Sequence, residues 1–379
     1  MLLHRCIADC LPGCAEAAVP RTPGSPRGRR PFTVDLHAHA VTPAVEALVA
    51  DQPQKQAEPG LMRRTQGEAS FAHNLAHMLP PAMRRMTQLD ERLADMDAMG
   101  VDVQVLSPSP AQYCYWAEPG LAEQVVRLQN EHIAEACARH PERLAGLGTV
   151  ALQHPGLAAR QLTHAVRTLG LKGVEISASV NGRELSHASL APFWRCAAEL
   201  GALVFIHPLG TSLGERVNRH YLANTIGQPL ETTVALSELI FGGVLDRHPG
   251  LRIVAAHGGG YLPAYFGRSQ HAHRVRPEAR GMRAAPRDYL RRLWFDTLVY
   301  EPEVLRHLIE VVGASQLVIG TDYPFDMGHY DPHGLLAAVP GLSREDAERI
   351  LGRNAAELLG LAAPHAERPG PAFSRETHP

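Results

Sequence analysis

Short apolar runs bounded by glycine or proline alternate along this chain with longer stretches in which apolar residues return every three or four positions. Runs of the first kind mark strands buried on both faces, and stretches of the second kind mark helices with one buried stripe. The first run, residues 32–36, ends in His37-Ala-His39. A polar stretch at 44–88, rich in Pro, Gln, Met and His, is predicted to be a long, partly helical insertion over that strand end. A helix then runs from Thr87 to Met99 and stops at Gly100. Further strands are predicted at 101–106, 144–152, 171–177, 202–206, 251–256, 293–297 and 317–321. Helices are predicted between them at 118–139, 156–168, 189–200, 229–246, 261–273 and 301–312, with 343–360 closing the chain. In helix 118–139 the stripe is Leu121, Val125, Leu128, Ile133 and Ala136. Strands that alternate with helices predict a parallel sheet, and eight such units predict an α/β fold, a (β/α)8 TIM barrel with an insertion after strand 1. No internal repeat and no second domain is visible.

Composition narrows the function classes. The 379 residues are 45 % hydrophobic and 20 % charged, the balance of a soluble globular protein, with a net charge of −2. That charge points to no nucleic-acid partner, and no apolar run reaches the ~18 residues a membrane helix needs. Residues 1–30 hold Pro20, Pro23, Pro26, Gly24, Gly28 and the run Arg27-Gly-Arg-Arg30 and read as a disordered extension without a secretory-signal pattern; an over-long start fits them equally. The barrel is expected to occupy 31–362, and a Pro-rich tail 363–379. Six cysteines, at 6, 10, 14, 114, 137 and 196, form no disulfide framework and predict a reducing, cytoplasmic setting. The only lysines are Lys55 and Lys172.

The strand ends carry the chemistry. Residues i and i+2 of an extended chain point the same way, so His37 and His39 aim both imidazoles at one point, half of a divalent metal site. Active sites of this fold lie at the C-terminal ends of the strands. Strand five ends in His207, strand six in His257 and strand eight in Asp322, so four histidines and an aspartate converge on one rim. Taken singly, each reads as a buried histidine or a capping aspartate; together they predict a metal centre. His73 and His77, four apart in the insertion, read as surface residues.

In its motifs the chain resembles the amidohydrolase superfamily, in the branch of aminocarboxymuconate-semialdehyde decarboxylase, over residues 33–360. The motifs are His37-Ala-His39, Phe205-Ile-His207-Pro, Ala256-His257-Gly-Gly-Gly, Gly267-Arg268 and Gly320-Thr-Asp322-Tyr-Pro-Phe325, with Met96-Asp-Ala-Met-Gly-Val101 and Arg353-Asn-Ala355. The resemblance implies that His37, His39, His207 and Asp322 hold the metal and that His257 and Asp322 handle protons at it. It further implies that Arg268 reaches into the neighbouring subunit of a homodimer to bind a substrate carboxylate. The family has another substrate-binding arginine before strand two; Arg63, Arg64, Arg84 and Arg85 lie there, at spacings that do not match it.

Two-metal relatives bridge their ions with a carboxylated lysine at the end of strand four. Here Lys172 stands at the start of that strand, whereas Glu175 is nearer the rim and able to bridge; one ion is favoured. Imidazoles with a carboxylate and an open position suit zinc, with manganese second. The reaction implied is metal-dependent, non-oxidative decarboxylation of a conjugated or phenolic carboxylic acid. Hydrolysis of a lactone, ester or amide, with His257 as base, and hydration of an unsaturated dicarboxylate are the competing reactions.

Overall fold

The computed structural model describes residues 30–361. The predicted extension (apart from Arg30), the C-terminal tail and Cys6, Cys10 and Cys14 therefore lie outside the described residues. The barrel strands are β1 (Val34–Ala40), β2 (Val103–Pro108), β3 (Leu144–Gly146), β4 (Gly173–Ile176), β5 (Leu203–Ile206), β6 (Arg252–Ala255), β7 (Trp294–Asp296) and β8 (Leu317–Val318). A three-stranded sheet in the order β1-β2-β3 and a five-stranded sheet in the order β8-β7-β6-β5-β4 are parallel throughout. Parallel bridges from Gly148 to Val174, and from β1 to Ile319 and Tyr323, join the two sheets at both edges. Three strands plus five thus close into the expected (β/α)8 barrel.

Alternation along the strands separates two layers of core. Val34, Leu36, Val103, Val105, Leu203, Phe205 and Val254 fill the barrel interior. Val204, Ile206, Ile253 and Ala255 face outward, against Phe193, Trp194, Leu236 and Leu239 of the surrounding helices. The helix Asn354–Leu359 closes the barrel floor by packing Ala355, Leu358 and Leu359 on the inner layer.

Several elements differ from expectation. β1 runs through both histidines instead of stopping before them, because His39 and Ala40 pair with Ser107 and Pro108. The register shifts between Asp35 and Ala38, a bulge that re-aims His37. β8 is short because Asp35 takes the place of a ladder partner: its carboxylate accepts the Thr321 N–H at 3.0 Å. The helix expected at 229–246 breaks at Gly242 and Gly243 into Gln228–Phe241 and Val244–Arg247. The insertion is helical almost throughout, as Pro43–Val49, Pro53–Gln66, Glu68–His73, Asn74–Met78 and Leu79–Thr87. Among the described residues no helix is long and apolar enough to cross a membrane, and Cys114, Cys137 and Cys196 are free thiols.

Candidate metal centre

The barrel geometry brings the five predicted groups together. His37 and His39 are fully buried on β1, and their Nε2 atoms lie 3.1 Å apart. Asp322, just beyond β8, places Oδ1 3.2 Å from both Nε2 atoms. His207, directly after β5, has its ring centroid 4.9 Å from that of His37 and 4.8 Å from that of His39. His257, after β6, lies 5.0 Å from His207 by the same measure. One ligand atom each from His37, His207, His257 and Asp322 falls within 4.8 Å of the others, and His39 adjoins this group through His37 and Asp322.

Hydrogen bonds set the orientation of each imidazole. His37 Nδ1 faces the Asp296 carboxylate at 2.7 Å, His39 Nδ1 faces the Pro108 carbonyl at 3.3 Å and His207 Nδ1 faces the Pro208 carbonyl at 2.9 Å. An acceptor at Nδ1 requires the proton there, which leaves the Nε2 lone pair of each ring turned inward. His207 Nε2 and His257 Nδ1 are buried with no hydrogen-bond partner. Three inward lone pairs, a carboxylate and an orphaned buried nitrogen are costly in a dry protein interior. They form a donor set that fits a divalent cation of the zinc or manganese kind.

The electrostatics agree with that fit. Burial works against a second proton on His37, but the Asp322 and Asp296 carboxylates outweigh it and push His37 up to about 10. Burial also pulls at Asp322, yet His37 and His39 hold it well below the usual carboxylate range. Burial and the other imidazoles keep His207 well below an ordinary histidine. A field that draws a proton into a buried site draws a cation there too. His257 and Asp322 both take left-handed φ values, +56° and +57°, a strain that concentrates at functional sites.

Asp296, at the end of β7, belongs to this centre although the sequence reading passed over it. It is fully buried and accepts from His37 Nδ1 and from the N–H groups of His257, Gly258 and Leu298. The strand-end rule that singles out Asp322 points equally to Asp296. Glu175, the possible second-metal bridge, is otherwise engaged: its oxygens accept from the Ser107 and Tyr113 hydroxyls, and His39 Nδ1 is 3.7 Å away. His73 and His77 lie side by side at the surface, their rings tilted at 49° with centroids 5.1 Å apart.

A chamber of about 360 Å³ opens over His207 and Asp322, walled by Met62, Phe71, Leu75, Met78, Met86 and Phe325 among others. Lys55 is the one lysine or arginine lining it among the described residues, and it pairs with Glu46 at 3.0 Å and Glu58 at 2.9 Å. None of the four candidate arginines lines the chamber. Arg63 stacks over Phe71, Arg84 pairs with Glu91 and Arg85 with Asp95, and the Arg64 carbonyl accepts from Asn218. Arg268 is exposed on the helix Phe266–Val275, beside a separate groove of about 520 Å³ that includes Tyr261 and Tyr265.

Comparison with known proteins places these residues in a family. The family model described as Amidohydrolase matches residues 34–361. The chain is 37 % identical over 274 residues to 2-amino-3-carboxymuconate-6-semialdehyde decarboxylase of Dictyostelium discoideum, covering 72 % of this chain and 76 % of the relative. It is 29 % identical to gamma-resorcylate decarboxylase of Rhodococcus jostii, covering 72 % and 87 %. The structure superposes with a TM-score of 0.75 and 26 % identity on 5-carboxyvanillate decarboxylase of Sphingomonas paucimobilis, covering 88 % and 100 %.

Proposed function

The chain belongs to the amidohydrolase family, in its aminocarboxymuconate-semialdehyde decarboxylase-like branch, and from that membership we propose that it is a metal-dependent, non-oxidative decarboxylase of a conjugated or phenolic carboxylic acid. The observation that carries the reading is the convergence of three inward Nε2 atoms and Asp322 beneath a mostly apolar chamber. Two relatives support the substrate class, since one bears the name of a decarboxylase of a muconate acid and the other of a resorcylate.

In this reading His37, His39, His207 and Asp322 hold one divalent ion, zinc first and manganese second. When bound, the ion would supply a Lewis acid able to stabilise negative charge on substrate oxygens. The chain's own groups do the rest. Asp296 holds the tautomer and direction of His37. His257, with an unpartnered Nδ1 next to the ligand cluster, carries the proton that reaches the carbon bearing the carboxylate. That carbon gains a C–H bond, its bond to the carboxylate breaks, and the electron pair returns to the conjugated system as CO2 leaves. The apolar wall keeps water from this carbon.

The carboxylate also needs a cation to orient it. Lys55 is already neutralised by two glutamates, which supports Arg268 of a second copy as the anchor in a homodimer. A guanidinium fork matches a carboxylate well. The test is a metal-loaded assay of unsaturated and phenolic acids, lactones and amides, with CO2 and acid release followed separately. CO2 from at least one acid is expected. Turnover of a lactone or amide without CO2 from any acid would replace this reading with the hydrolase.

A further inference from the structure

Arg92 is 1 % exposed and has no part in the chemistry above. A buried guanidinium is costly unless its N–H groups find acceptors. Arg92 finds three, each on a different element. Nη2 donates to the His39 carbonyl on β1 and, at 3.3 Å, to the Arg85 carbonyl in the helix Leu79–Thr87. Nη1 donates to Gln104 Oε1 on β2 at 2.7 Å. The guanidinium carbon lies 4.8 Å from the centroid of the Tyr323 ring, the residue after Asp322.

Apart from the Arg85 carbonyl, these contacts lead to the backbone of a ligand. Gln104 Nε2 donates to Asp35 Oδ2 at 2.8 Å. Asp35 in turn accepts the His37 N–H at 3.2 Å and both the N–H and the hydroxyl of Thr321, at 3.0 and 2.6 Å. The Tyr323 hydroxyl donates to Asp95 Oδ2 at 2.8 Å, and Arg85 Nε donates to the same oxygen at 2.9 Å. Thr321 and Tyr323 flank Asp322, whose left-handed backbone needs holding from both sides.

We propose that Arg92 is a positioning residue for the metal centre: through one guanidinium, the helix Leu89–Met99 fixes the backbone on which His37, His39 and Asp322 stand. The proposal rests on those three residues being ligands, and it reaches past them to a residue that touches neither ion nor substrate. It also ties the metal centre to the helical insertion, because Arg85 and Asp95 belong to the same cluster.

The test compares the parent with Arg92→Met and Tyr323→Phe. Zn2+ affinity is read by competition against a chelator, ligand geometry by the visible bands of the Co2+-loaded protein, and folding by the melting temperature without metal. Loss of an outer contact to a ligand typically weakens metal binding about 10–100-fold, and that loss is expected for Arg92→Met, with a smaller one for Tyr323→Phe. The Co2+ bands of Arg92→Met are expected to shift. A residue that merely stabilises the fold would lower the metal-free melting temperature and leave affinity and bands unchanged, and that outcome overturns the proposal. Should Arg92→Met fail to fold, the same two readouts on Arg92→Lys, which keeps the charge and loses the fork that joins His39 to Gln104, decide in the same way. A parent that binds no ion overturns the metal centre itself and the proposal with it.

Discussion

Asp296 accepts four hydrogen bonds, from His37 Nδ1 and three backbone N–H groups, so one carboxylate orients a ligand and pins the turn that carries His257. Asp296→Asn keeps the shape but removes the charge that fixes the His37 tautomer. Chelator competition should show metal affinity about 10–100-fold weaker in that variant. His37→Ala and Asp322→Ala should lose the ion outright, where the parent holds about one per chain by elemental analysis; unchanged metal content in both would remove them from the ligand set. His257→Gln should keep its ion and lose about 10²–10⁴ in rate, the scale for deleting a general acid–base group. At this scale the centre was legible wherever a histidine or aspartate ended a strand, because the fold sends every strand end to one rim. Asp296 obeys the same rule, since it ends the seventh barrel strand, but it is not among the residues that the family resemblance implies as ligands. Arg92 gave no such signal: it lies mid-helix, and its importance arises from contacts with His39, Gln104 and Tyr323, far away in sequence.

Elements differ in how much of their shape depends on local sequence. The turn after β6 takes left-handed values at His257, Gly258, Gly259 and Gly260. At Gly260 a Cβ would stand 2.0 Å from the Pro229 carbonyl oxygen, so the helix Gln228–Phe241 can approach this turn only if residue 260 is glycine. Gly260→Ala should therefore destabilise by more than about 1 kcal/mol and lower the melting temperature by at least about 2 °C. An unchanged melting temperature would mean that the two elements separate freely. Helices ending at Gly100 and Gly201 were legible because a left-handed glycine stops a helix by its own chemistry. The break at Gly242-Gly243 was not, since apolar periodicity continues through Val244 and Leu245 and outweighs two glycines in a pattern count. The insertion buries few of its own residues and walls a chamber instead, so its helices lack the stripe that announces a packed helix.

For the whole molecule, closure of the barrel was legible from the count of strand–helix units. Complementation tests the homodimer. Arg268→Ala mixed in equal amounts with His257→Ala, each inactive alone, should recover about a quarter of the parent activity, because random pairing leaves one site in four intact. No recovery after confirmed subunit exchange would count against an anchor from the second copy. Stability should also depend on alkaline pH. Burial pushes the Cys114 and Cys137 thiols up to about 12 from 9.0, so the unfolded chain releases protons that the folded chain keeps. The folded state then loses ground as pH rises from 9 towards 12. The urea midpoint should be lower at about pH 10 than at about pH 8, with equal midpoints as the contrary result.

The most direct test of the central claim is to run the metal-loaded protein in deuterated water with an acid that it decarboxylates and to locate the isotope in the product. Protonation at the carbon that carried the carboxylate predicts one deuterium there per CO2 released, with turnover lost on chelation and restored by the ion. CO2 release without deuterium at that carbon, or turnover indifferent to the metal, would contradict the account.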